Sequence, residues 1–125
     1  MDPSVLIVDD ERAICDNLAA FLEDEGLQPQ MVHTGEEAVR LVSEGLKVKV
    51  CIMDLRLPGM TGTQTILAIR ELSPDTRFLV HTGSANDKVI EELSRTGLRD
   101  VPVFNKPVRD MARFTNAIAE LTESS

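Results

Sequence analysis

Asp9, Asp10, Asp54, Thr82 and Lys106 form a set with chemistry in it: three carboxylates, a hydroxyl and an ammonium. Each sits at or just past the end of a short apolar run. Val5-Leu6-Ile7-Val8 leads into Asp9-Asp10, and Val50-Cys51-Ile52-Met53 into Asp54. Phe78-Leu79-Val80-His81 leads into Thr82, and Val101-Pro102-Val103-Phe104-Asn105 into Lys106. If these runs are parallel strands of one sheet, their C-terminal ends share the edge where open α/β folds bind ligands. The groups then converge, and what they offer is a divalent cation beside a reactive carboxylate. A carboxylate can attack phosphorus. Mg²⁺ takes oxygen ligands, typically one or two protein carboxylates with several waters, and lowers the repulsion between two anions that must meet. Lys106 adds a movable positive charge with three donors.

The elements needed to position this set are legible in the hydrophobic pattern. Val5–Val8 is wholly apolar, as expected for a strand covered on both faces. A helix is expected from about Glu11 to Glu25, with Ile14, Leu18, Phe21 and Leu22 as its stripe and Gly26 as its stop. A second strand is expected over Gln28–His33. Thr34 with Glu37 reads as a capping box opening a second helix, which ends near Gly45. A third strand, Val48–Met53, is followed by Leu55-Arg-Leu-Pro-Gly-Met-Thr-Gly62, rich in turn signals. Then come a helix over Thr63–Leu72 with Ile66 and Ile69 inward, and a strand over Arg77–His81. The next helix is capped by Ser84 or Asn86, striped by Val89, Ile90 and Leu93, and stopped before Gly97. A fifth strand over Val101–Phe104 and a helix over Arg109–Leu121, with Met111, Phe114, Ile118 and Leu121 on one side, complete the chain. Five βα units with short connections imply a parallel sheet with helices on both faces.

At 125 residues the chain is one expected domain, with a core over about 4–121 and residues 122–125 as a tail or the start of a cut linker. Thirteen Lys and Arg against 21 Asp and Glu leave a net charge of −8, which argues against nonspecific nucleic-acid binding. No apolar stretch approaches the roughly 18 residues of a membrane span, and no signal-peptide core opens the chain, so a cytoplasmic location is expected. Cys15 and Cys51 show no CxxC spacing and read as a reduced, buried pair.

With its motifs in view, the chain resembles the receiver domain of bacterial two-component response regulators. The pieces that carry the resemblance are Val8-Asp9-Asp10-Glu11, Asp54-Leu-Arg-Leu-Pro-Gly-Met-Thr-Gly62, His81-Thr82-Gly83 and Asn105-Lys106-Pro107. It implies a doubly wound, flavodoxin-like α/β fold with a five-stranded parallel sheet in the order 2-1-3-4-5, an architecture the receiver family itself exemplifies. It implies Asp54 as phosphoacceptor, and Mg²⁺ held directly by Asp10, Asp54 and the backbone carbonyl of Arg56, with Asp9 acting through water. Thr82 and Lys106 would contact the phosphoryl oxygens. The implied partner is a histidine kinase or a histidine phosphotransfer protein. The implied output is a change in the helix 4–strand 5–helix 5 face, with a homodimer as one use of it. The domain would be regulatory, catalysing only its own phosphorylation and dephosphorylation.

Blander readings exist for each piece. Asp9-Asp10 can cap a helix, but one Asp suffices for that, so the second points to metal. Thr82-Gly83 can be a turn, and Lys106 a solvated loop lysine, although Pro107 favours an extended backbone at Lys106 that suits a fixed reach. His33 and His81 read as structural, with alternation sending His81 away from Thr82. A phosphatase of the haloacid dehalogenase type would need a second Asp where Arg56 stands. A flavin or nucleotide carrier would need a phosphate-cradling loop after the first strand. A docking-only pseudo-receiver would not need the complete acidic set. One departure from the family pattern stands out: Val103 occupies a position that is commonly aromatic, and Phe104 lies one residue later.

Overall fold

The computed structural model describes residues 4–83, 87–98, 101–106 and 108–123. Strands and helices alternate along the chain: β1 Val5–Val8, α1 Arg12–Asp24, β2 Pro29–Val32, α2 Gly35–Ser43, β3 Val50–Met53, α3 Gly62–Leu72, β4 Arg77–Thr82, α4 Asp87–Ser94, β5 Val103–Asn105 and α5 Met111–Glu123. The strands form one sheet in the order β2-β1-β3-β4-β5, and every pairing is parallel. Parallel neighbours need a crossover, and each intervening helix supplies one.

Side chains alternate across the sheet and separate two apolar layers. On one face Leu6, Val8, Cys51, Met53, Phe78 and Val80 pack with Ala38 and Val42 of α2, Ile66 and Ile69 of α3 and Leu93 of α4. On the other, Val5, Ile7, Val50, Ile52 and Leu79 pack with Cys15, Leu18 and Leu22 of α1 and with Phe114 and Ile118 of α5. Each such fully buried aliphatic side chain contributes about 1.5–3 kcal/mol. Cys15 and Cys51 therefore belong to opposite faces; both are free and buried.

The register aligns the strand ends. Val8 pairs with Met53, Met53 with Val80, and Val80 with Val103. Just past those positions the amide of Asp54 donates to the Val8 carbonyl at 3.0 Å, and that of Asp9 to the Val32 carbonyl at 3.2 Å. The functional edge is thus a product of register, not of loop placement.

The elements match the expected sequence order, with local differences. In α1 the buried residues are Cys15, Leu18, Ala19 and Leu22, while Ile14 and Phe21 are half-buried, so the inward face is rotated from the expected stripe. Gly26, at φ 86°, ends α1 as expected, and the Leu27 amide reaches back to the Leu22 carbonyl at 3.0 Å. At Thr34 only half of the expected capping box forms. Its hydroxyl oxygen accepts from the Glu37 amide at 3.1 Å, and the hydroxyl donates to Glu37 Oε1 at 3.3 Å. The reciprocal box stands instead at Thr61 and Gln64, which starts α3 one residue early. β2, β3 and β5 are shorter than expected, β4 extends through Thr82, and α5 runs on through Glu123. Ile90, expected in an inward stripe of α4, is 45 % exposed, whereas Leu93 is buried. The expected Ser84 or Asn86 cap, Pro107 and the side chain of Val89 lie outside the described residues.

Gly62 ties the fold to the site. Its amide donates to the Leu55 carbonyl at 3.1 Å, and a Cβ there would collide with the Asp54 carbonyl oxygen and the Leu55 Cα. These are backbone atoms of the segment that carries Asp54, so they yield only if that segment moves. Gly62→Ala should destabilise the domain by about 1–3 kcal/mol. Urea denaturation followed by circular dichroism tests this, and unchanged stability would show that the loop has slack.

Candidate functional site

At the C-terminal edge of the sheet, one ammonium holds three carboxylates. Lys106 Nζ lies 2.7 Å from Asp9 Oδ2, 3.0 Å from Glu11 Oε1 and 3.1 Å from Asp54 Oδ2. The lysine, Asp9 and Asp54 side chains are 8 %, 3 % and 4 % exposed, while Glu11 is 56 % exposed and forms the rim. An ammonium has three hydrogens, so the lysine's donors are fully used. The residues come from three elements: Asp9 follows β1, Asp54 follows β3 and Lys106 follows β5.

The two buried carboxylates are held by one local device. Asp9 Oδ1 accepts the Glu11 amide at 3.0 Å, and Asp54 Oδ1 accepts the Arg56 amide at 3.1 Å. In each case the side chain binds the backbone two residues on, the turn that Asp favours at a strand end. Each keeps its Oδ2 for Lys106. At β5 the Lys106 amide donates to the Thr82 carbonyl at 3.0 Å, which seats the lysine beside the threonine. Thr82 is fully buried.

Burial raises the pKa of Asp9 above its ordinary value, although Lys106 and the Glu11 amide both favour its ionised form. For Lys106, burial works against the charge. Hydrogen bonds to Asp9 and Glu11 and the charge of Asp54 outweigh it and hold the amine above its ordinary value. Burial also pushes the Cys15 thiol up to about 12, so it keeps its proton.

Asp9, Asp54 and Lys106 meet as the sequence led one to expect, and Thr82 lies alongside. Asp10 is exposed and stands outside the group of carboxylates that approach one another. Glu11, which the sequence places in the acidic motif after β1 but gives no site role, is the third member of that group. The available signal was its position directly after the Asp pair, at the N-cap of α1. The Arg56 side chain is exposed, and only its backbone faces Asp54.

Oxygen atoms of Asp9, Glu11 and Asp54 lie within 4.8 Å of one another. Three carboxylates against one ammonium leave excess negative charge, and an all-oxygen donor set suits a hard divalent cation. The residues therefore fit a metal of that class.

The chain matches the family model for the response regulator receiver domain over residues 5–119, and it belongs to that family. It is a receiver domain of two-component signalling. A response regulator receiver protein of Anaeromyxobacter is 33 % identical over 103 residues, covering 82 % of this chain and 42 % of the relative. A CheY-like receiver domain protein from Methanospirillum hungatei superposes with a TM-score of 0.85 at 25 % identity, covering 98 % of this chain and 96 % of that one. A Burkholderia pseudomallei response regulator, solved with a phosphorylated aspartic acid, a calcium ion and citrate, superposes at 0.79 with 27 % identity, covering 99 % and 74 %. The chain spans between 26 % and 61 % of the length of the first curated relatives it matches. Among the described residues no helix is long and apolar enough to cross a membrane.

His81 lies on the opposite side of β4 from the α3 layer, with its ring edge-on to Phe114 at 5.5 Å and 69°. Its Nδ1 has no hydrogen-bond partner among the described residues. Burial, with Lys106 acting in the same direction, lowers its pKa from 6.5 to about 4, and Asp54 and Glu11 oppose them. The folded value lies below the unfolded one, so the unfolded chain takes the proton first as pH falls. Stability is therefore lost between 6.5 and about 4. From about pH 7 to about pH 4.5 the wild type should lose about 2 kcal/mol more than His81→Leu does. Urea denaturation at the two pH values measures this, and equal losses would remove His81 as the cause.

Proposed function

We propose that Asp54 accepts a phosphoryl group from a histidine kinase or a histidine phosphotransfer protein. The observation that carries the reading is the single ammonium of Lys106, shared between the buried carboxylates of Asp54 and Asp9. A carboxylate so placed has an anchored backbone, one oxygen turned to a mobile cation, and a position at the ligand edge of the sheet. In the transfer, a carboxylate oxygen of Asp54 bonds to phosphorus as the bond from phosphorus to the donor nitrogen breaks. Lys106 follows the charge from the carboxylate to the phosphoryl oxygens, and the Thr82 hydroxyl binds one of those oxygens. Catalysis here is positioning and charge neutralisation.

The proposed cation is Mg²⁺, held by Asp10, Asp54 and the backbone carbonyl of Arg56, with Asp9 acting through water. When bound, it supplies neutralisation of the charge that builds between carboxylate and phosphodonor. The calcium ion and phosphorylated aspartic acid of the Burkholderia regulator support this pairing. The domain on this reading is a regulatory module of the cytoplasm and no enzyme toward other substrates. Its phosphorylated state changes the α4–β5–α5 face for a partner or a homodimer. Arg56 stands where a phosphatase of the haloacid dehalogenase type needs its acid, and the buried acidic set has no use in a docking-only module.

Two outcomes test this. With a small phosphodonor and Mg²⁺, wild-type protein should gain the mass of one phosphoryl group, acid-stable and base-labile, and Asp54→Asn should gain none. Wild-type levels of incorporation in Asp54→Asn would sink the assignment. Asp10→Ala should weaken Mg²⁺ binding by about tenfold or more and slow phosphorylation, with Glu11→Ala as comparison. Undiminished affinity in Asp10→Ala, with a loss in Glu11→Ala, would transfer the ligand role to the rim glutamate.

A further inference from the structure

Asp9 is more completely specified than any role as a helix cap requires. Its amide donates to Val32, its Oδ1 accepts from Glu11, and its Oδ2 meets Lys106. Its carbonyl remains. The β1–β2 ladder ends here, because the chain after His33 turns away at Thr34 to open α2. A backbone carbonyl left at a buried ladder end needs another donor.

Two side chains provide it. Cys15 Sγ lies 3.3 Å from the Asp9 carbonyl oxygen, and His33 Nδ1 lies 3.0 Å from it. The thiol comes from the first turns of α1 and is fully buried, whereas the imidazole comes from the residue just after β2. Sulfur and Nδ1 are also 3.8 Å apart, which admits a second pattern in which the thiol donates to the ring. That pattern would press an Nδ1 lone pair against a carbonyl oxygen at 3.0 Å with no hydrogen between them. The arrangement without such a clash puts a hydrogen on Nδ1 and both hydrogens on the carbonyl, whose two lone pairs can take them.

We infer that Cys15 and His33 are positioning residues for the phosphoryl-transfer site, clamping the Asp9 carbonyl from two sides so that its carboxylate is held toward Lys106 and the cation. The inference rests on the proposed metal and phosphoryl site. Neither residue touches the reacting atoms. The clamp acts through the Asp9 backbone: the carboxylate carbon lies three bonds from the carbonyl carbon, so fixing the carbonyl sets the direction of the Cα–Cβ bond from which the side chain reaches the Glu11 amide and Lys106. Its effect is on cation affinity, so it is overcome by raising the cation concentration.

The test has two arms. Long-range proton–nitrogen NMR on wild-type protein under mildly alkaline conditions should show the His33 hydrogen on Nδ1. A hydrogen on Nε2 alone overturns the clamp, whatever the site does. In the second arm, Mg²⁺ alone is titrated and followed by amide chemical shifts. His33→Leu and Cys15→Ala should each weaken binding by about tenfold, the scale seen when a ligand loses its hydrogen-bond partner. Cys15→Ser keeps a donor at the same place, and His33→Asn keeps one near the Nδ1 position, so both should restore most of the affinity. With a small phosphodonor, the weakened variants should reach the wild-type rate at saturating Mg²⁺, which a general loss of structure would not allow. If the wild type binds Mg²⁺ and the Leu and Ala variants bind it equally well, the clamp has no role. If the wild type binds no Mg²⁺, the proposed site fails, and the clamp's function fails with it.

Discussion

The sheet edge is organised around one ammonium. Lys106 has three hydrogens, and residues after β1 and β3 and at the rim of α1 take all three. Breaking such a buried pair by removing one partner costs roughly 3–5 kcal/mol, because the other charge stays buried without compensation. That cost falls only on a fold in which β1 and β3 end level with one another and β5 runs two residues past them, so the ion cluster and the parallel register depend on each other. The register comes from apolar residues. Val8, Met53 and Val80 occupy matching positions, and all three are fully buried. A slip by one residue would turn each of them to the other layer and scatter the carboxylates.

Much of this arrangement was legible in the sequence because it repeats. Each apolar run ends in a chemical residue, and the runs are too short for helices, rich in β-branched residues and set between amphipathic helical stretches, which marks them as buried strands. The strand order came from the receiver resemblance, not from periodicity. What stayed hidden lies at places where two local signals compete. Ile14 and Cys15 are neighbours on α1 and both are apolar; the smaller one sits against the sheet because the Asp9 backbone passes close to it. Ile90 looked like core by spacing, but α4 buries Leu93 and leaves Ile90 at the surface. Thr61 and Gln64 form a reciprocal box with the spacing of a helix start, yet Gly62, by type a turn residue, stands between them as the first residue of α3. Glu11 was hidden for a different reason: its place after the Asp pair also fits a helix start, and its partner Lys106 lies 95 residues away in the chain.

The aromatic residues show how the domain departs from its family's usual pattern. Val103 packs in the layer of α2, α3 and α4, whereas Phe104 faces the other layer and meets Phe114 at 5.2 Å and 65°. His81 meets the same ring. The rings of His81 and Phe104 therefore both meet Phe114 edge-on, forming one aromatic cluster on the α1–α5 side of the sheet. A β-branched Val103 has few side-chain conformations to choose from. It cannot swing into space left by Thr82 as a long aromatic side chain would. A direct tie between the two strands at this level is the hydrogen bond from the Lys106 amide to the Thr82 carbonyl. A movement of Lys106 is thus felt at Thr82 through the backbone, with no rotating ring between them.

The charge balance at the edge then decides how a signal arises. A group shifts a two-state protein only by interacting differently with its two states. In the unmodified site the ammonium already serves three carboxylates, and burial raises the pKa of one of them, Asp9. The site is therefore short of positive charge before any phosphoryl group arrives. Phosphorylation of Asp54, as proposed, would turn its carboxylate into an acyl phosphate, so the hydrogen that Lys106 gives Asp54 Oδ2 is the one freed to follow the charge onto the phosphoryl oxygens. The phosphoryl group would carry roughly two negative charges where the carboxylate carried one, so the shortage of positive charge would deepen. Of the two remaining partners, Glu11 is exposed at the rim and can exchange the lysine for water, whereas Asp9 is buried. A second hydrogen drawn to the phosphoryl group would therefore come from Glu11, and the tie between Lys106 and α1 would loosen with it.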